Sequence, residues 1–364
     1  MTLLRHAGAA LAAALVIGLL TIRLGNYRDY QIAEVAAYVI AVAGLTVLIG
    51  LTGQISVGNG AFMAVGAYSA ALLQLHGGWL NGLHITGNWQ IVVILLASLL
   101  ITAAGGAVFG LAAARLRGPY LAGATLMLAV AIPAAVADKY AGVFGGDQGM
   151  SVSVTTPSFL GVTFPPTRWL AWLTSATALV ALIALANLVR SRVGRNWRAV
   201  RDDEVAASLA GLNVARLQVL GFLISAACAG LGGALLAVVT SIVSPGAYTL
   251  ALSIGLLTAA VIGGLGSLVG ALWGSLLFVL VPSYLSNVAE SHGGRLFGLS
   301  SGASPFVPIA AYGVVLIGVM LLFPTGIQGG LRRLFGPAAP IAAEQFSLLR
   351  RRGPASEHQE EGTP

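Results

Sequence analysis

The sequence predicts an all-α, polytopic membrane protein of about ten transmembrane helices, with both termini on the cytoplasmic side and Gly-rich interruptions between spans. Three observations lead there. The mean hydropathy is +0.89, and the 364 residues are 57% hydrophobic but only 9% charged, far from the roughly 25% charged residues of a soluble domain. No residue from Val35 to Ala114, or from Leu217 to Ala289, carries a formal charge; apolar runs of that length are several membrane spans joined by short turns. Finally, the charge that mid-chain does contain is gathered in RSRVGRNWRAVRDDEVAASLAG, from Arg190 to Gly211. A segment with five arginines must sit in water between two embedded blocks, and short arginine-rich loops stay on the cytoplasmic side.

Ten spans fit the hydropathy, at about residues 7–22, 32–50, 60–76, 90–114, 119–137, 168–189, 217–240, 250–265, 269–286 and 306–323. The first follows Arg5 and His6 and resembles a signal peptide. No small-residue cleavage site comes after it in RLGNYRDY, so it reads as a retained span. With the arginine cluster placed inside, 14 of the 19 basic residues fall on the cytoplasmic side and five, Arg23, Arg28, Lys139, Arg168 and Arg295, fall outside. That bias supports both termini inside, and an odd number of spans would break it.

Two stretches are not ordinary helix. Between the second and third spans runs GLTGQISVGNGAF, where glycines interleave with Thr52, Gln54, Ser56 and Asn59. Between the eighth and ninth runs VIGGLGSLVGALWGS, containing Gly264, Gly266 and Ser267. In a membrane block such residues mean either close helix packing or unwound backbone beside a cavity, because lipid cannot satisfy freed N–H and C=O groups. Their similar place in the two halves hints at an internal repeat, the pairing that marks a pathway in transporters. Gln54, Ser56, Asn59, Gly264, Gly266 and Ser267 are therefore the candidate translocation residues.

Within the arginine-rich loop (190–216), Asp202 or Asp203 is suited to cap a short surface helix and Glu204 to favour its positive end. Gly211 is suited to end it. The longest external segment, 138–167, is rich in Gly, Ser, Thr and Pro, reads as a cap or docking surface, and contains Gly145, Gly146, Asp147 and Gln148. The membrane block is expected over 1–335. The remainder, 336–364, carries RRR and EHQEE and reads as a disordered polar tail.

Several chemistries are missing. One lysine, Lys139, is present, and no GxxxxGK phosphate loop. All twelve acidic residues fall in loops, tails or span ends, with Glu34 nearest to a span interior, so coupling to protons or sodium lacks its usual intramembrane carboxylate. The five histidines show no HExxH spacing, GxSxG is absent, and Cys228 is the single cysteine; no catalytic residue, bound cofactor, metal site or disulfide is expected. The net charge of +7 comes from arginines at span ends and in the tail, with no aromatic-interleaved basic face for nucleic acid. The spans read as a passive pathway driven by something else.

At this point the residues resemble a known family. GLTGQISVGNGAFMAVGAYSAALL, RLRGPYLAGATL, GGDQGMS, the run from Arg190 through RSRVGRNWRAVRDDEVAASLAGLNVARLQVLGFLISAACAGLGGALLA, VIGGLGSLVGALWGS and FPTGIQGGL occur in the order found in LivM-type permease subunits of branched-chain amino acid ABC importers. The resemblance covers about residues 30–335. It implies a second, LivH-like permease, two ABC ATPase subunits that hold the ATP, an extracytoplasmic solute-binding protein, and a bacterial cytoplasmic (inner) membrane location. It also implies a coupling helix in which Arg201, Asp202, Asp203, Glu204, Ala207 and Gly211 serve the ATPase contact, and docking of the binding protein near Gly145–Gln148. The sequence departs from the family at AVAIPAAVAD, where Pro133 stands in the fifth span, and in a longer segment before the last span. The alternatives are the same machinery carrying urea, short amides or sugars, or a stand-alone facilitator or channel.

Overall fold

The computed structural model describes residues 18, 21, 25–75, 88–116, 119–152, 158–159, 162–163, 165–291, 307–323 and 326–335. The first expected span apart from residues 18 and 21, the expected tail over 336–364 and most of the segment before the last span lie outside them.

The described chain is overwhelmingly helical. Helix α1, Asn26–Val47, continues as a π turn over Leu48–Thr52, and α2 is Asn59–Leu75. After α3, Asn88–Ala113, comes α4, Pro119–Ala134, which contains Pro133 and opens into a π turn over Ala135–Lys139. Proline has no N–H to give the preceding turn, and the wider turn follows directly. Then come the short α5, Ala141–Phe144, and three two-residue strands, β1 Met150–Ser151, β2 Ser158–Phe159 and β3 Val162–Thr163. Helix α6 is Pro166–Arg190, α7 Arg192–Asp202, α8 Glu204–Leu209 and α9 Val214–Thr240. Strand β4, Ile242–Val243, precedes α10, Leu250–Gly263, and α11, Leu268–Ser291. The last two are α12, Val307–Leu322, and α13, Ile327–Phe335.

Among the described residues six segments, Asn26–Thr52, Gln90–Ala113, Tyr120–Asp138, Pro166–Arg190, Val214–Thr240 and Leu268–Val288, are long and apolar enough to cross a membrane. The chain is thus an all-α multi-pass membrane protein. The third and eighth expected spans are shorter helices, α2 and α10, of 17 and 14 residues. At 1.5 Å per residue α10 reaches about 21 Å, short of a hydrocarbon core of roughly 30 Å.

Helices α1 and α9 form the centre and are the most enclosed. Helix α9 packs against α1, α2 and α3, while α6, α10 and α11 close the other sides of α1. Small residues set these approaches. A Cβ added at Gly66 would strike the Gly230 carbonyl, one at Gly233 the Met63 carbonyl, and one at Gly232 would come to 2.6 Å of the Ala37 carbonyl. Backbones this close exchange dispersion contacts over their whole length, which drives association where lipid removes the hydrophobic term. At the end opposite the arginine cluster, Arg168 at the start of α6 stands 3.7 Å from the fully buried Asp29 of α1. There too β1 pairs antiparallel with β4, Met150 opposite Val243, tying the long connection after α4 to the end of α9.

Candidate functional site

The arginine-rich segment folds as two helices rather than one. Ser191 caps α7 by accepting from Val193 N at 3.2 Å. Gly194, Trp197 and Val200 point inward, and Trp197, fully buried, donates from Nε1 to the Leu217 carbonyl at 2.8 Å. Arg190, Arg192, Arg195 and Arg198 face water. Arg195 donates to the Arg190 carbonyl at 3.3 Å and Arg198 to the Val189 carbonyl at 3.4 Å, so cations close the negative C-terminal end of α6.

Of the two aspartates suited to capping, Asp203 does it. Its Oδ1 accepts from Val205 N at 2.8 Å and Ala206 N at 3.0 Å, starting α8. Asp202 instead pairs with Arg201 at 2.9 Å. Glu204 accepts from the Gln218 side chain at 2.9 Å, which fastens α8 to α9. Gly211 adopts φ +83°, and Leu212 N returns to the Ala207 carbonyl at 3.0 Å, the glycine stop expected of that residue. Ala207 is turned inward at 4% exposure, whereas Val205 is 69% and Leu209 84% exposed. The apolar knobs offered by α8 are therefore Val205 and Leu209, which sequence reasoning passed over; Ala207 belongs to the opposite, packed face.

Arg201 is directed into the protein as well. Its Nη1 donates to the Gly50 carbonyl at 2.6 Å, inside the π turn that ends α1. Gly53 follows at φ +73°, where an added Cβ would lie 3.0 Å from Arg201 Cγ; only glycine fits this left-handed, closely covered stop. The second Gly-rich stretch meets the first at the same place. Gly264 and Gly266 take φ +110° and +80° to turn α10 into α11, Ser267 Oγ accepts from Gly270 N at 3.2 Å, and Gly266 lies against Gly50, with 2.5 Å between its Cα and a Cβ added at Gly50. The open choice between close packing and unwound backbone thus resolves differently for the two stretches. Gly264, Gly266 and Ser267 form a tight turn packed on the end of α1, beneath Arg201, while residues 53–58 are unwound.

That unwound segment climbs into the bundle. Gln54, Ser56 and Asn59 are 6%, 1% and 1% exposed. Val57 N donates to Thr125 Oγ1 at 3.0 Å and Gly60 N to Ser253 Oγ at 3.1 Å, and Ser225 Oγ reaches Asn59 Oδ1 at 3.5 Å. Hydroxyls from α4 and α10 thus replace backbone bonds that the break in helix forfeits, while the α9 hydroxyl holds the Asn59 side chain. Gln54 Nε2 and Asn59 Nδ2 are buried without a partner. Thr125, Ser225 and Ser253 were the missed members of this set; as hydroxyl residues inside apolar spans they were visible, but nothing in sequence separates them from hydroxyls such as Thr46, which bonds its own helix at Val42.

Beyond α4, Gly145 and Gly146 have positive φ and Gly146–Gln148 form one 3-10 turn. Asp147 and Gln148 are exposed while Gly146 is buried, so the turn presents its two polar side chains outward from a base fixed by β1 and β4. Among the described residues no group of three His, Cys, Asp or Glu could hold a metal ion.

Interrupted helices around a buried polar break, joined to a water-facing helical elbow, are the architecture of a membrane transport permease. The chain belongs to the family described as branched-chain amino acid transport system / permease component, which matches residues 27–324. It is 32% identical over 276 residues to the high-affinity branched-chain amino acid transport system permease protein LivM of Salmonella typhimurium, covering 70% of this chain and 62% of that protein. The LivM protein of Escherichia coli matches to the same extent. The permease protein BraD of Pseudomonas aeruginosa is 37% identical over 140 residues, 38% of this chain and 41% of BraD. The chain thus spans 62% of the length of the LivM proteins it matches. No solved structure matches it.

Proposed function

We propose that this chain is the membrane-spanning permease subunit of an ABC importer for branched-chain or related small amino acids, in a bacterial cytoplasmic membrane. In this reading a second, LivH-like permease completes the pathway, two ABC ATPases bind and hydrolyse the ATP, and an extracytoplasmic binding protein delivers the solute near Asp147 and Gln148. The observation that carries the reading is the similarity to LivM and BraD, permease proteins of high-affinity branched-chain amino acid transport systems. The geometry supports how it would work. Val205 and Leu209 stand out from a capped helix, α8, that Glu204 fastens to α9, beside α7, which Trp197 fastens to the same helix, a shape suited to an apolar groove on an ATPase. Displacing α7 and α8 pulls directly on Gly50 through Arg201, and Gly50 leads within a few residues to the unwound segment. A push from the ATPase side therefore reaches the polar break through one short mechanical path.

The test is uptake by proteoliposomes holding the chain with its second permease, ATPases and binding protein. ATP-dependent accumulation of labelled leucine, isoleucine or valine is expected, and Leu209→Arg should lower ATPase co-purification while the chain still inserts. Accumulation of urea, a short amide or a sugar instead would transfer the machine to another cargo; transport at full rate without the ATPases would make the chain a facilitator.

A further inference from the structure

A groove of about 510 Å³ lies between α1, α6 and α11. Apart from Ser175 its walls are apolar, among them Val39 of α1, Ala178 and Leu182 of α6 and Leu276 of α11, and its two larger polar side chains, Arg28 and Gln31, stand together at one end. That end is the start of α1, where Arg168 meets Asp29, opposite the arginine-rich elbow. The segment Asn26–Thr52 has 27 residues, about 40 Å of helix against a hydrocarbon core of roughly 30 Å, so its ends reach the headgroup regions. Arg28 is therefore at headgroup level with an apolar groove running inward beneath it.

The cation is available. Arg28 is exposed, and among the described residues no carboxylate forms an ion pair with it. Its neighbour Asp29 is fully buried and turned to Arg168, and no acidic side chain lines the groove. The groove also has an end. From residue 28 to residue 39 α1 rises about 16 Å, half of the core. Beyond Val39 the same face of α1 is sealed, since Val42, Ala43 and Thr46, which follow it at helical spacing, are 0% exposed. A neighbouring transmembrane helix needs a seam along the full depth of α1, which this face does not offer. The hydrocarbon chain of a lipid in one leaflet needs only the half that is open, and a phosphate above it matches the charge of Arg28, whose planar guanidinium suits phosphate oxygens.

We infer that this groove binds an anionic phospholipid from the leaflet opposite the elbow. One acyl chain lies between α1, α6 and α11, Arg28 holds the phosphate, and the Gln31 amide, one turn further in, donates to the glycerol ester region. The site is separate from the polar break and from the elbow, and the inference does not depend on which solute the protein carries.

Photolabelling of the purified full-length chain, with the subunits that accompany it, tests the site. The protein is placed in phosphatidylcholine nanodiscs containing a trace of phosphatidylglycerol or of phosphatidylcholine that carries a diazirine midway along one chain, and labelled peptides are mapped by mass spectrometry. Peptides holding Ala178 and Leu276 should be labelled about fivefold more by the phosphatidylglycerol probe, the preference that one basic residue gives toward anionic lipid. The control peptide holds Leu100 and Ile101 of α3, which are 65% and 45% exposed; it should be labelled equally by both probes. Arg28→Gln, at an exposed position, should bring the groove peptides to the control ratio while leaving them labelled. The same ratio at groove and control in the parent, or a preference that persists in Arg28→Gln, would overturn the inference. So would groove peptides that neither probe labels, which would mean that another protein segment fills the space.

Discussion

Replacing Gly50 by alanine tests the junction on which the coupling argument turns. The added methyl would lie 2.5 Å from Gly266 Cα, where ordinary contact begins at 3.4 Å, so the end of α1 and the α10–α11 turn must separate by about 1 Å. Both partners are backbone, with no flexible side chain to give way, and overpacking of this kind costs about 1–3 kcal/mol. The separation also draws the Gly50 carbonyl from Arg201 Nη1, now at 2.6 Å. A bond to a charged donor contributes about 1.5–3 kcal/mol, reduced here because the Arg201 side chain is 44% exposed and water replaces part of it. Together these give a loss of about 2–4 kcal/mol. Gly105→Ala and Gly123→Ala are the controls: no atom lies within 4 Å of either added methyl, and alanine in a helix gains up to about 1 kcal/mol over glycine. Thermal denaturation of the purified protein should place Gly50→Ala well below the parent and both controls at or above it. Uptake at the parent's stability and rate in Gly50→Ala, or equal losses in the controls, would refute the reasoning.

Two further expectations concern the elbow. Trp197→Phe keeps most of the buried ring volume but removes the side-chain donor at 2.8 Å from the Leu217 carbonyl, which keeps its place in the α9 helix, a loss of about 0.5–1.5 kcal/mol that should appear as faster hydrogen exchange across α7 and the start of α9; unchanged exchange would mean that the ring's packing alone holds the elbow. Asp203→Ala removes the acceptor of two backbone N–H groups and should destabilise α8 by about 1 kcal/mol. Asp202→Ala, which touches only an exposed ion pair, should change exchange in α8 little. Equal effects of the two would contradict the capping assignment.

The sequence alone determined the all-α membrane class, because burying a helix in lipid demands a long uncharged run and any such run is plain in a chain with 9% charged residues. It also located the water-facing elbow and its stop at Gly211, since capping and left-handed glycine are local rules that act within one turn. Hydropathy placed α2 and α10 among the spans but could not show that they begin inside the bundle, because periodicity does not register depth. Tertiary structure decided the rest. Both Gly-rich stretches look alike as strings, yet one is a close-packed turn and the other an unwound path, since what fills the space beside a glycine comes from segments far away, Gly266 beside Gly50 and Ser253 beside Gly60. Arg201 likewise reads as one basic loop residue among five, and only the fold, by bringing the end of α1 beneath it, makes it the link between the elbow and the break.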